Sequence, residues 1–254
     1  MEEVINKLKD IIADSKHLVA FTGAGLSAES GIPTYRGAGG LWTTYDPMKY
    51  ANIHFFLEDP TYYWSFFRDV RYPIIKKAKP NPAHYALVEL EKQGKLSQVI
   101  TQNIDGLHQI AGQSNVIELH GNTRQIVCME CKWLFSMETV YKRLEQEFPP
   151  NCPRCKGLLK PDTVFFGESL PQKALNEAMH AAQNCDLFLV VGSSLVVSPA
   201  AQLPRIAKEN GASLVIVNID ITPLDGIAEL VIHEQASQVL SVIIQRDESQ
   251  GWAL

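Results

Sequence analysis

Val4, Leu8, Ile11 and Ile12 recur at helical spacing, so residues near 2–14 read as an amphipathic helix. The pattern then changes to an unbroken apolar run, Leu18-Val19-Ala20-Phe21-Thr22, with the length and composition of a buried strand. Further short strands read at Ser97–Thr101, Asn115–Leu119, Leu187–Val191 and Leu214–Val217. Asn81-Pro82 starts a helix that Gly94 stops, and Pro171 opens one that runs to about Gln183. Ser198-Pro199 caps a helix ending at Gly211, and Gln235 begins a last one toward Ile244. Strands alternating with helices predict an α/β fold on a doubly wound parallel sheet. Residues 37–80 interrupt this rhythm with many aromatics, from Trp42 to Phe67, and no clear strand. They read as a small helical module over a cleft, with most of the rings as core filler.

Ligands of such sheets sit outside the carboxyl ends of the strands. Here those ends are Gly23-Ala24-Gly25, Gln102-Asn103-Ile104-Asp105, His120-Gly121, Gly192-Ser193-Ser194 and Asn218-Ile219-Asp220. Each is polar or glycine, so five strand ends agree on one edge. The first opens Gly23-x-Gly25-x-x-Ala28, the pattern of a dinucleotide pyrophosphate loop. In that pattern Gly23 permits the turn, Gly25 lets backbone approach phosphate, and Ala28 lets the helix pack close to the strand. A plain strand–turn–helix made of small residues has the same local pattern. Hydride-transferring enzymes place an acidic ribose ligand about 20 residues after the first glycine. The window here, Gly40 to Pro47, is aromatic and turn-rich, which speaks against a dehydrogenase. Gly192-Ser193-Ser194 is a second phosphate or ribose candidate, and Asn218 or Asp220 could supply the missing ribose contact.

The chain has 254 residues, 46% of them hydrophobic, enough for one large domain plus a small module. Its 23 basic and 28 acidic side chains give a net charge of −5, which disfavours general nucleic-acid binding. No run reaches the roughly 18 apolar residues of a membrane span. Met1-Glu2-Glu3 has no signal-peptide pattern, so a soluble cytoplasmic protein is the expectation. Four of five cysteines form Cys128-x-x-Cys131 and Cys152-x-x-Cys155, with 20 residues between the pairs. That spacing suits a tetrahedral zinc site, with Pro153 and Gly157 in the tight turn. Redox pairs or disulfides are the alternatives, the latter disfavoured inside a cell. Four protein ligands leave no open position, so such a metal is structural. Cys185 reads as a buried small side chain. The implied division is a Rossmann-like domain over 1–36, 81–123 and 161–254, a helical insertion over 37–80 and a zinc-binding module over 124–160.

For chemistry, His120 stands at a strand end on the candidate nucleotide edge. A neutral imidazole, ordinary pKa about 6.5, is a natural base for a hydroxyl near neutral pH. His108, on a helix after Asp105, reads as structural. Asn103 and Asp105 offer ligand contacts, and either could equally cap a helix. There is no Ser-His-Asp signature, and a saturated metal cannot activate water. The dinucleotide itself is then the reactant, its ribose carbon made electrophilic by a pyridinium leaving group.

Together these stretches resemble the sirtuin family of NAD-dependent protein lysine deacylases, prokaryotic type. The matching residues are Gly23–Arg36, Thr101–His108, His120-Gly121, the four cysteines, Val164–Glu168, Gly192–Val197 and Val217-Asn218. The resemblance implies that Ala24, Ala28, Tyr35 and Arg36 line the NAD loop. It implies that Gln102, Asn103, Ile104 and Asp105 contact ribose and nicotinamide, and that Ser193, Ser194 and Asn218 contact the other ribose and adenosine. Val164, Phe165, Gly167 and Glu168 would border an acyl-lysine tunnel in which a peptide adds as a strand. In the family mechanism the acyl oxygen attacks the ribose carbon as nicotinamide leaves, and His120 deprotonates a ribose hydroxyl. The products are free lysine, nicotinamide and O-acyl-ADP-ribose. An ADP-ribosyltransferase and an NAD-sensing scaffold are the rival functions. The family commonly has Phe where this chain has Tyr35. Members preferring succinyl or malonyl groups carry Tyr-x-x-Arg three residues after a tryptophan, and counting from Trp64 gives Phe67 and Val70. Arg68 and Arg71 lie one residue away, within reach of a register shift. The expected substrates carry acetyl or longer apolar acyl groups.

Overall fold

The computed structural model describes residues 1–37 and 39–244. Its strands are β1 (Leu18–Thr22), β2 (Leu96–Thr101), β3 (Val116–Glu118), β4 (Gly121–Cys128), β5 (Leu134–Ser136), β6 (Leu159–Thr163), β7 (Leu187–Val191), β8 (Ser213–Val217) and β9 (Leu230–Ile232). The α-helices are α1 (Glu2–Asp14), α2 (Ala24–Ala28), α3 (Pro47–Tyr50), α4 (Ile53–Glu58), α5 (Pro60–Phe66), α6 (Tyr72–Lys77), α7 (Pro82–Lys92), α8 (Leu107–Ala111), α9 (Met137–Arg143), α10 (Gln172–Asn184), α11 (Leu203–Glu209) and α12 (Ala236–Ile243).

Six strands form one parallel sheet in the order β3-β2-β1-β7-β8-β9. Alternation along each strand divides its side chains between the two faces. From β1, Leu18 and Ala20 enter one core while Val19 and Phe21 enter the other. From β7, Leu189 and Val191 go one way, Phe188 and Val190 the other. The first core takes Ile5, Leu8 and Ile12 of α1, Leu87 of α7 and Leu240 of α12; the second takes Ala178 of α10 and Leu203 of α11. Complete burial of each such side chain is worth about 1.5–3 kcal/mol, which fixes the strand register.

Pairings of Thr22 with Thr101 and Val191, of Thr101 with Glu118, and of Val217 with Val191 bring the carboxyl ends into line. The chain leaves β1 in one direction and resumes on its other side at β7. That switch point lies between the Gly23 loop and the Gly192 loop.

Two elements lie outside the sequence expectation. Strand β9 is a three-residue edge strand, too short to show alternation. Ser198 does not cap its helix: a 3₁₀ turn, Ala200–Gln202, precedes α11, and its N-terminal residue makes no side-chain capping bond.

A second, antiparallel sheet, β5-β4-β6, carries the cysteines and starts directly after His120, where Gly121 pairs with Thr163. Helices α3 to α6 occupy the aromatic region. The two insertions share one core, in which Phe56, Tyr63, Trp64 and Phe67 pack with Ile126, Met137, Val140 and Leu159. Trp64 Nε1 donates to the Leu159 carbonyl at 3.2 Å. The stretch after 244 within the range 161–254 lies outside the described residues.

Candidate active site and metal cluster

The two glycine loops at the switch point touch. The Gly23 amide donates to Val191 O at 3.0 Å, and the Gly25 amide to Gly192 O at 2.9 Å. A Cβ on Gly23 would lie 2.6 Å from Gly192 O, one on Gly25 2.8 Å from Gly192 Cα, and one on Gly192 2.2 Å from Leu26 N. Gly192 also has φ +63°. The turn geometry expected of Gly23 is therefore replaced by another requirement. Its φ of −130° is extended, and what excludes a side chain is the facing backbone.

These loops open a cavity of about 1110 Å³. Typical sites for one small ligand occupy about 300–1,000 Å³, so there is room beyond a single small ligand. Gly23, Ala24, Gly25, Ala28, Tyr35, Arg36, Gln102, Asn103, Ile104, His120, Gly192, Ser193, Ser194, Asn218 and Asp220 line it. So do Val164, Phe165, Gly167 and Glu168, on the wall that continues from β6. Gln102 Nε2 donates to Ser193 Oγ at 2.8 Å, tying the β2 and β7 ends together. Asn218 Nδ2 donates to the Asp220 carbonyl at 2.7 Å, shaping the loop after β8.

Asp105 is the exception among the sequence candidates. It is buried and is not part of the cavity lining. Its Oδ2 accepts from Ser27 Oγ and its Oδ1 from the Leu107 amide, both at 2.8 Å. Burial raises its pKa, partly offset by these bonds. Asp105 therefore stands behind the lining, where it holds Ser27 and the start of α8. Ser27 Oγ, which donates to Asp105, accepts from Asn103 Nδ2 at 3.2 Å, and that nitrogen also donates to Gly23 O at 2.9 Å. With the amide nitrogen engaged, the Asn103 carbonyl oxygen is the atom left for a ligand.

His120 is half-buried, with Nδ1 3.1 Å from Gln102 O. The carbonyl can only accept, which assigns the proton to Nδ1 and leaves Nε2 as the basic atom. Burial pushes the imidazole pKa down, and the bond to Gln102 pulls it partly back. His108 stays structural: it is buried outside the cavity, bonded to Thr22 Oγ1 at 2.9 Å, its pKa pushed down to about 3 by burial and by His84.

The sequence reading missed Ser27, Trp42 and Tyr63, and of the two arginines it held within reach of a register shift the structure brings in Arg71. Arg71 is buried in the cavity wall, donates to the Tyr35 hydroxyl and lies 5.3 Å from that ring's centre. A π-helical turn, Phe67–Arg71, supplies the register shift that brings it there. Arg68 instead pairs with Asp69 at 2.6 Å, and Phe67 is core. No linear pattern marks a π turn.

The four cysteine sulfurs lie within 4.8 Å of one another, with Cys128–Cys155 at 3.5 Å and Cys131–Cys152 at 3.7 Å. Tetrahedral zinc with bonds of about 2.3 Å needs sulfur–sulfur edges of about 3.8 Å, whereas a disulfide needs about 2.05 Å. The sulfurs are free, and the donor set fits zinc. The knuckles turn at Lys132 (φ 58°) and Lys156 (φ 66°), so the left-handed residue of the second turn is Lys156, directly before Gly157. Gly157 is needed because a Cβ there would lie 2.4 Å from Glu130 Cγ. None of the four cysteines lines the cavity. Cys185 is buried, its thiol pushed up to about 12 by burial.

Fold and site thus define a Rossmann-like α/β protein with a four-cysteine module and one large cleft at the switch point. The chain belongs to the Sir2 family, whose model matches residues 23–199. It is 47% identical over 246 residues to NAD-dependent protein deacylase 2 of Archaeoglobus fulgidus, covering 96% of each chain. It is 46% identical over 249 residues to an NAD-dependent protein deacetylase of Thermodesulfovibrio yellowstonii, covering 98% of this chain and 97% of the relative. Among solved structures, one bearing on the mechanism and regulation of Sir2 enzymes superposes with a TM-score of 0.90 at 47% identity, over 96% and 97% of the two chains. A Sir2–p53 peptide–NAD+ complex superposes with a TM-score of 0.88 at 41% identity, over 94% and 96%. Among the described residues no helix is long and apolar enough to cross a membrane.

Proposed function

We infer that this protein is an NAD-dependent protein lysine deacylase, most simply a deacetylase, which moves the acyl group to ADP-ribose and releases nicotinamide. The observation that carries the reading is His120, an imidazole with a bare Nε2 in the same cavity as both glycine loops and Asn103. The relatives' names, which specify NAD-dependent protein deacylases and deacetylases, support it.

NAD is the co-substrate, and loss of its nicotinamide supplies an electrophilic ribose carbon. The protein supplies position and one base. The loops at Gly23–Ala28 and Gly192–Ser194 hold the phosphates and riboses, with Tyr35, Arg36, Asn218 and Asp220 around them. Asn103 presents its carbonyl oxygen, with Gln102 and Ile104 beside it. The acyl oxygen takes the ribose carbon as nicotinamide leaves. His120 Nε2 takes the proton of a ribose hydroxyl as its oxygen bonds to the acyl carbon. The carbon–nitrogen bond to lysine breaks with a proton passing to the departing amine, and one water completes the O-acyl ester. Val164, Phe165, Gly167 and Glu168 hold the acyl-lysine peptide, whose main chain lies extended along this wall.

In this reading the sheet domain (1–36, 81–123, 161–254) binds the nucleotide, while the insertions at 37–80 and 124–160 complete the cleft. Zinc at Cys128, Cys131, Cys152 and Cys155 holds the second insertion together. A reducing cytoplasm keeps those thiols available. The test is incubation of the protein with NAD and an acetyl-lysine peptide. Nicotinamide and O-acetyl-ADP-ribose are expected. ADP-ribosylated protein in place of O-acetyl-ADP-ribose would establish a transferase, and NAD binding without turnover a sensor.

A further inference from the structure

The acyl-side wall of the cavity is wrapped around a buried cation. Lys160 is 5% exposed and does not line the cavity. Its Nζ lies 2.6 Å from Thr163 O, 3.2 Å from Pro161 O and 3.0 Å from Glu168 Oε2. An ammonium has three N–H donors, so these oxygens use all of them. The Phe165 ring covers a further side, its centre 4.3 Å away. Glu168 Oε2 also accepts from the Phe165 amide at 2.8 Å. The chain from 161 to 168 therefore closes around one ammonium.

A buried charge is tolerated only with its partners in place, so the cation and this backbone path stand or fall together. The path has consequences at both ends. The Val164 amide donates to the His120 carbonyl at 2.9 Å, which joins the wall to the base. The Phe166 amide donates to Ala51 O at 2.8 Å and its carbonyl accepts from Ile53 N at 3.0 Å, which joins the wall to the helical insertion.

We propose that Lys160 is a positioning residue for the peptide substrate: its ammonium, shared among Pro161, Thr163 and Glu168, sets the main-chain course of Val164–Gly167 along which the acyl-lysine segment lies. The proposal rests on the deacylase reading above. Its contacts are with the acyl-side wall, and none is with the nucleotide loops.

The experiment uses the full zinc-loaded chain and the variants Lys160→Met, Lys160→Arg and Lys160→Gln. Anisotropy of a fluorescein-labelled acetyl-lysine peptide and calorimetry with ADP-ribose read the two halves of the cleft without turnover. Steady-state KM for peptide and for NAD, and zinc content, complete the set. Lys160→Met should weaken peptide binding and raise peptide KM about tenfold, with ADP-ribose affinity and zinc content within about twofold of the parent. Lys160→Arg keeps the charge pair and should stay within about threefold of the parent for peptide. Unchanged peptide affinity in Lys160→Met overturns the proposal. So does a parallel loss of peptide, ADP-ribose and zinc, which would mark a general structural residue. If Lys160→Met fails to fold, Lys160→Gln, which removes the charge and keeps a donor for the Pro161 and Thr163 carbonyls, decides by the same criterion. Failure of the deacylase reading looks different: the parent protein itself would not prefer acetylated over unmodified peptide and would not consume NAD with it.

Discussion

The Nδ1 atom of His120 and the carbonyl oxygen of Gln102 are 3.1 Å apart, and this contact decides which imidazole nitrogen can act as a base. The proton sits on Nδ1, and burial lowers the pKa of the ring. The basic form is therefore populated at lower pH than for a free histidine, whose pKa is about 6.5. The acid limb of kcat/KM for an acetylated peptide should lie below pH 6.5, with a plateau through neutrality. Nicotinamide release measured from about pH 5 to about pH 9 checks this, and a limb above 6.5 would contradict it. His120→Ala should reduce kcat by about 10²- to 10⁴-fold while leaving ADP-ribose binding nearly intact.

Two other histidines control stability rather than chemistry. His84 and His108 are buried with ring centres 5.1 Å apart, and burial pushes their pKa values to about 4 and about 3. His84 Nε2 and His108 Nδ1 have no hydrogen-bond partner among the described residues. Both rings are neutral in the fold, while the unfolded chain protonates them below about pH 6.5. The unfolded state then binds more protons, so stability is fully present above that pH and is lost as pH falls toward 4. Each ring contributes a slope of up to about 1.4 kcal/mol per pH unit. Asp105, whose pKa is raised, works against this trend. Urea unfolding between about pH 7 and about pH 5 should show the loss. His84→Asn should be less stable at neutral pH and show a shallower pH dependence.

Much of this site is legible in the amino-acid order, because parallel strands deliver their carboxyl ends to one edge. Once Leu18–Thr22, Ser97–Thr101 and Leu187–Val191 read as strands, the loops that follow them have to meet. The cysteine spacing likewise implies one cluster. What does not read off is anything set by packing across the chain. Asp105 sits beside three cavity residues in sequence, yet Ser27 and the start of α8 turn it inward. Gly157 reads as part of a tight turn, but the reason for a glycine there does not read off: the left-handed φ falls on Lys156, and Gly157 makes room for Glu130. The count from Trp64 leaves Arg68 and Arg71 each one residue out of register, and the π turn that chooses Arg71 leaves no mark in the amino-acid order.

The shared core of the two insertions gives zinc a reach beyond its own module. Cys128 and Cys152 belong to the same apolar cluster as Phe56, Trp64 and Phe67. Chelation should therefore loosen α4 and α5 as well as the β5-β4-β6 sheet, and slow turnover through the wall at Val164–Gly167. Hydrogen exchange with and without chelator tests this. Loss of protection in the small sheet alone, with α5 unchanged, would show that the two insertions are energetically separate.

Ser27 joins two groups that the reaction treats differently, since it donates to buried Asp105 and accepts from Asn103. Ser27→Ala removes both bonds at once. The lost donor leaves a buried carboxylate with one fewer partner, which costs about 1–3 kcal/mol. The lost acceptor leaves the Asn103 amide with Gly23 O as its remaining anchor. Stability and catalysis should therefore both respond, by separable amounts. Thermal unfolding should shift down, and kcat should fall about tenfold with a smaller change in peptide KM, because Asn103 faces the nucleotide and not the peptide. Adding Asp105→Asn to Ser27→Ala removes the stranded charge, so it should restore part of the stability and none of the kcat. Recovery of both together would mean that Ser27 acts on turnover only by keeping the fold intact, and that the orientation of Asn103 does not depend on its hydroxyl.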